Sequence, residues 1–104
     1  MTGLATKVRR FAYDHRRFVT WMIPPGVTLP VRGPGFTILV RPDDWAVGMR
    51  IAVRREHEPH VTKHLEAALE PGMTVLDVGA NIGWFALLAA SRVGNAGRVH
   101  AFEP

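Results

Sequence analysis

Residues 75–90 read VLDVGANIGWFALLAA, and residues 98–104 read RVHAFEP. The first stretch opens as an apolar strand around a single acidic residue, Asp77, turns at glycine and continues as a mostly uncharged helix. The second stretch is another strand, followed by Glu103. This order predicts a βαβ unit with parallel strands, the first of them buried on both faces. The predicted elements are a strand at 74–78, a helix at 82–93 and a strand at 98–102.

The turn between Asp77 and Trp84 discriminates among nucleotide ligands. A dinucleotide fingerprint, G-x-G-x-x-G, requires glycine at positions 79, 81 and 84, where the chain has Gly79, Asn81 and Trp84. Pyrophosphate binding is therefore disfavoured, and a P-loop is excluded because its Gly-Lys-Ser/Thr ending is missing. What remains is a turn with glycine at 79 and 83 and, between them, an asparagine, which tolerates positive φ.

Such a turn suits a ligand without phosphates. The N–H groups that begin the following helix attract a carboxylate, and Asp77 attracts an ammonium group. S-adenosylmethionine carries both groups, together with a ribose whose two hydroxyls require a bidentate acceptor. Glu103 follows the second strand, where ribose acceptors occur in Rossmann-type sites. The sequence therefore predicts S-adenosylmethionine as the cofactor.

Several motifs together resemble the FkbM-type S-adenosylmethionine-dependent methyltransferases of the class I Rossmann-like group. They are the pairs at 58–59 and 71–72 and the stretches at 75–83, 97–99 and 101–104. By this resemblance, the loop around the methionine end of the cofactor consists of Asp77, Gly79, Ala80, Asn81 and Gly83, and Glu103 holds the ribose. The resemblance also implies methyl transfer to an oxygen, such as a hydroxyl of a small molecule or sugar.

Enzymes of that group have a seven-stranded sheet, and residues 56–104 offer two of its strands. We therefore expect the chain to be the N-terminal part of a longer methyltransferase with an incomplete sheet. Its general base and substrate pocket would then lie outside residues 1–104, so the catalytic residues are unknown and the chain alone is expected to be inactive. The unpaired edge of the 74–78 strand predicts a tendency to aggregate.

Residues 1–55 follow a different pattern from residues 56–104. Apolar residues from Leu4 to Met22 recur at helical spacing, which predicts one amphipathic helix ending before Pro24. Packing on protein is the favoured interpretation of its apolar face, with a membrane-surface role as the alternative. Further on, β-prone runs separated by turns predict two or three short strands in a small antiparallel layer. Glu58-Pro59 opens a helix with Val61, Leu65, Ala68 and Leu69 on one face. The β-prone runs are 27–31, 36–40 and 49–53.

The fold class predicted is thus α/β, with an N-terminal helix and small β layer (1–55) before the start of a Rossmann-like domain (56–104). The net charge of +4 divides unevenly, because residues 1–55 hold ten Lys or Arg and three Asp, whereas residues 56–104 hold three basic and six acidic residues. A non-catalytic module with a basic front half is therefore one alternative function. A nicotinamide-dependent oxidoreductase is the other, disfavoured by the glycine spacing.

Three further ligand and location classes are disfavoured by the sequence. Nucleic-acid binding lacks a dense basic run around the scattered Trp21 and Trp45. Zinc at His57, His60 and His64 lacks the glutamate of H-E-x-x-H, so a polar helix face is favoured and no metal is expected. Prolines interrupt the apolar run after residue 17, which argues against a signal peptide or a spanning helix. With no cysteine in the chain, the cytoplasm is the default location, and the oligomeric state is undetermined.

Overall fold

The computed structural model describes residues 3–104, with the side chain of Arg9 excepted. These residues form five helices and four strands and belong to the mixed α/β class. In chain order they are α1 (Gly3–Asp14), α2 (Arg16–Met22), β1 (Leu29–Gly33), β2 (Phe36–Val40), α3 (Gly48–Arg54), α4 (Pro59–Ala68), β3 (Thr74–Val78), α5 (Trp84–Val93) and β4 (Arg98–Phe102).

The strands form two separate pairs. β1 and β2 are antiparallel, with Leu29 opposite Val40 and Gly33 opposite Phe36. β3 and β4 are parallel, and α5 connects them along the chain. The parallel strand–helix–strand arrangement predicted for residues 74–102 is therefore present.

The predicted N-terminal helix is interrupted at His15, which separates α1 from α2. The His15 ring stacks on the Phe11 ring, with centroids 4.2 Å apart, and its Nδ1 lies 2.9 Å from the carbonyl oxygen of Phe11. The backbone N–H of His15 also donates to this carbonyl at 2.9 Å, so the ring and the backbone share one acceptor at the interruption. α2 nevertheless ends at Met22, before Pro24, as predicted.

The strand predicted at 49–53 is wrong, because these residues lie inside α3. The carboxylate of Asp44 accepts hydrogen bonds from the backbone N–H groups of Val47 (3.1 Å) and Gly48 (3.0 Å), which satisfies donors that begin the helix. Helical spacing then turns Ile51 into the core and leaves Val53 exposed. Capping and burial outweigh the β propensity of the segment.

One hydrophobic core joins the two halves of the chain. Its buried members are Val31, Ile38, Val40, Ile51 and Trp84. The Trp84 ring meets the Phe36 ring edge to face, with centroids 5.0 Å apart. α5 therefore packs against the antiparallel sheet as well as against β3 and β4.

The burial of β3 on both faces, predicted from its apolar sequence, is not found. Val75 and Asp77 are half-buried, whereas Leu76 and Val78 remain 67% and 81% exposed. α5 contacts β3 and β4, but the described residues provide no second layer over the opposite face of this sheet. None of the described helices has the length and apolar character needed to cross a bilayer.

Candidate functional site

The turn from β3 into α5 alternates between left-handed and other backbone conformations. Gly79, Asn81 and Gly83 have φ values of 76°, 52° and 94°, so Asn81 adopts the positive φ for which its side chain is suited. A Cβ added at Gly79 or Gly83 would meet no atom within 4 Å. Glycine is therefore required at these two positions by backbone conformation, and the space beside each of them is open.

Backbone hydrogen bonds attach this turn to the end of β4. The N–H groups of Gly79 and Ala80 both donate to the carbonyl of Phe102, at 2.8 and 3.0 Å. Gly83 N–H donates to the carbonyl of Ala80 at 2.9 Å, closing the turn immediately before α5. The turn is thus held by the residue next to Glu103 in sequence.

Glu103 itself reaches the turn. Its Oε2 accepts a hydrogen bond of 2.5 Å from the backbone N–H of Asn81, across 22 positions of sequence. The structure therefore brings the glycine turn and the acidic residue after β4 into direct contact. A carboxylate has about four acceptor positions, so Oε1 and part of Oε2 remain for other donors.

Asp77 lies at the same end of β3, on the half-buried face of the sheet. Its Oδ2 atom is buried and has no hydrogen-bond partner within residues 3–104. Burying an unpaired carboxylate oxygen costs free energy, which a donor on a ligand would recover. The arrangement suits an ammonium or another N–H donor beside the turn.

The first turn of α5 completes the polar groups of the site. Gly83 supplies no side-chain cap, and the first turn of the helix contains no acidic residue. Its leading N–H groups therefore stay available to an anion, and the helix dipole favours a carboxylate there. The turn is thus surrounded by two acceptors and one set of donors. The acceptors are Asp77 and Glu103, and the donors are the N–H groups at the start of α5.

Sequence reasoning missed Thr62, which contacts Trp84, the first residue of α5. Trp84 is 1% exposed, and its indole Nε1–H donates to Thr62 Oγ1 at 3.1 Å, while the Thr62 hydroxyl donates to the carbonyl of His57 at 2.7 Å. Trp84 is therefore part of the hydrophobic core. The predicted inward face of α4 is corrected, because Thr62 is buried and Val61 is exposed. The one available signal in the sequence was the hydroxyl of Thr62, five residues after His57.

The histidines near α4 take separate positions. The His57 ring packs 5.5 Å from the Phe85 ring and 6.1 Å from that of Trp84, measured between centroids. His60 and His64 are exposed on α4. Within residues 3–104, no three His, Asp or Glu side chains are grouped in a way that could hold a metal ion. Glu58 precedes the helix with a φ of 41° and makes no side-chain cap.

The two tryptophans outside the turn differ in environment. Trp45 is half-buried, and its Nε1–H donates to Thr20 Oγ1 at 2.8 Å, joining α2 to the segment before α3. Trp21 is 80% exposed. A cavity of about 530 Å³ lies between α1 and α3, with Tyr13 and Trp45 in its wall, away from the turn.

Comparisons of the chain with models of known protein families, with curated proteins and with solved structures returned no match.

Proposed function

We propose that this chain provides the S-adenosylmethionine site of an FkbM-like methyltransferase with a Rossmann-like cofactor domain. The observation that carries the proposal is the hydrogen bond between Glu103 Oε2 and Asn81 N–H. It holds the acidic residue after β4 beside the glycine turn, at the carboxyl ends of the parallel strands, where Rossmann-type sites bind the ribose of their ligands.

Each group around the turn has a separate task in this proposal. The N–H groups at the start of α5 hold the methionine carboxylate, and Asp77 Oδ2 accepts from the ammonium group. Glu103 Oε1 accepts from one ribose hydroxyl, and Oε2, which the Asn81 N–H occupies only in part, accepts from the other. When bound, the cofactor supplies a methyl group already activated on a sulfonium, so these residues chiefly fix its orientation toward an acceptor oxygen.

The test is calorimetric titration of the chain with S-adenosylmethionine and with its demethylated product. Asp77→Asn keeps the shape of the side chain and removes its charge, so it should weaken binding by about tenfold or more. Glu103→Gln keeps one oxygen for Asn81 and should weaken binding less than Glu103→Ala. Glu70→Gln removes an exposed acid far from the turn in sequence and serves as the control.

Two results would contradict the proposal. One is an absence of heat with either compound while circular dichroism shows a folded chain. The other is competition by NAD, which would assign the turn to the oxidoreductase class despite its glycine spacing.

A further inference from the structure

Apolar residues of α1 and of α2 are exposed, and together they are here named the helix face. Spacing of three and four residues places them on one side of each helix. In α1 this side is 77% exposed at Leu4, and in α2 it is 80% exposed at Trp21. The helix face consists of Leu4, Val8, Phe11, Phe18, Trp21 and Met22, all of them exposed.

Other sides of the same helices contact the rest of the chain. Thr20 accepts the hydrogen bond from Trp45, and Ala12 and Tyr13 of α1 line the cavity together with residues of α3. None of the six helix-face residues lines that cavity. The usual explanation for an amphipathic helix, an apolar side turned to the core, therefore does not apply to α1 and α2 within residues 3–104.

The charge of this segment is strongly positive. Residues 3–22 contain five Lys or Arg and a single acid, Asp14. Lys7, Arg10, Arg16 and Arg17 are exposed. Arg10 lies 3.9 Å from the carboxylate of Asp14, and the Arg16 guanidinium lies over the Tyr13 ring at 5.0 Å.

Only some partners satisfy both the apolar and the charged groups. Nucleic acid would pair with the arginines and leave six apolar side chains in water. A second copy placed symmetrically would bring two positive segments together. An anionic bilayer surface accepts both, because its headgroups attract Lys and Arg while Phe, Leu and Trp enter the boundary of the acyl chains.

We propose that the helix face binds an anionic lipid surface, with α1 and α2 lying in the plane of the membrane interface. At 12 residues, α1 is about 18 Å long, enough to lie along the headgroup layer. The proposal does not depend on the cofactor site, since it uses neither the turn at 79–83 nor Glu103.

Flotation of the full chain with vesicles tests the charge requirement. We expect binding to phosphatidylcholine vesicles that contain phosphatidylserine, loss of binding in high salt, and little binding to phosphatidylcholine alone. Arg17→Glu should weaken binding by about tenfold. Lys63→Glu changes the net charge equally at an exposed position of α4 and should leave binding unchanged. Equal effects of the two variants would overturn the proposal.

The apolar requirement has its own readout. Trp84 is buried and Trp45 half-buried, so a blue shift of the tryptophan emission on adding vesicles reports on Trp21. Trp21→Phe should retain binding and lose the shift. Phe18→Ser should weaken binding, whereas Leu39→Ser, at an exposed position of β2, should not.

Three other outcomes would overturn the proposal. The first is no binding to either vesicle by a chain that circular dichroism shows to be folded. The second is a dimer that sedimentation velocity detects and that Phe18→Ser dissociates, which would assign the helix face to self-association. The third is stronger binding to duplex DNA than to anionic vesicles, lost in Arg17→Glu and retained in Phe18→Ser.

Discussion

Thr62 connects the two helices on either side of β3 through a single hydroxyl. It accepts from the Trp84 indole and donates to the His57 carbonyl, and it is buried. Thr62→Val keeps the shape of the side chain but leaves the indole N–H unpaired. The free energy of unfolding should therefore fall by about 1–3 kcal/mol. Thr62→Ser keeps the hydroxyl, so its free energy of unfolding should fall by less. Urea unfolding followed by circular dichroism measures both, and equal stability of Thr62→Val and the parent would contradict the role assigned here.

Asp43 offers a prediction about pH. Two hydrogen bonds from Arg41, at 3.0 and 2.6 Å, lower the pKa of the Asp43 carboxyl below 3.8, and the positive charge of Arg41 lowers it further. Because the folded pKa is depressed, the stabilisation is present above the pKa of the unfolded carboxyl. It is lost as the pH falls through the lower folded value. NMR titration of Arg41→Gln should show the Asp43 pKa rising toward 3.8, whereas Arg32→Gln should leave it low.

The sequence predicts the environment of some single residues but not of others. The position of Trp84 in the core and the positive φ of Asn81 could be predicted, because indole size and backbone tolerance are intrinsic to those residues. The hydrogen bond from Asn81 to Glu103 and the orphaned Asp77 oxygen depend on atoms from other strands. Thr62 was missed because one buried hydroxyl gives no periodic signal.

Among the elements, the connection from α5 to β4 is limited by space. A Cβ on Gly97 would overlap the Val93 side chain and approach the Met73 carbonyl oxygen at 2.7 Å. The backbone of Met73 cannot move freely, since its carbonyl accepts from Arg98 N–H at the start of β4. Gly97→Ala should therefore destabilise the chain by about 1–3 kcal/mol through overpacking.

Gly3→Ala is the matched control for this change, because a Cβ there would meet nothing within 4 Å. Denaturant midpoints of the two variants give the comparison. If Gly97→Ala unfolds at the same midpoint as Gly3→Ala, the connection is not tightly packed and the prediction is wrong.

The elements themselves were predictable where periodicity and turn residues agreed. β2, β3 and β4 occupy the predicted ranges, and α5 starts two residues late because Gly83 is left-handed. The strand prediction for residues 49–53 was wrong because the β-prone composition of the segment does not include Asp44, which caps α3 from outside it. The break at His15 leaves no mark on the apolar spacing.

For the whole molecule, exposure is the property that the sequence could not supply. The apolar runs in β3 and in α1 were assigned to buried positions, since an apolar residue reads the same whether or not another layer covers it. In the structure the core lies between α5, the antiparallel sheet and α3. Within residues 3–104, the helix face near the N-terminus and the uncovered side of the parallel sheet both remain exposed to solvent.

The uncovered side of that sheet consists of Leu76, Val78 and Phe102, with Val78 and Phe102 opposite each other in the parallel register. Adjacent exposed apolar residues on a strand pair favour association between copies of a chain. We expect concentration-dependent oligomers in sedimentation velocity, and the double variant Leu76→Thr, Val78→Thr should shift them toward monomer, because threonine keeps β propensity while reducing apolar area. Leu39→Thr changes an exposed apolar position on β2 and should leave the distribution of oligomers unchanged. A parent chain that stays monomeric at high concentration would show that this side of the sheet does not drive association.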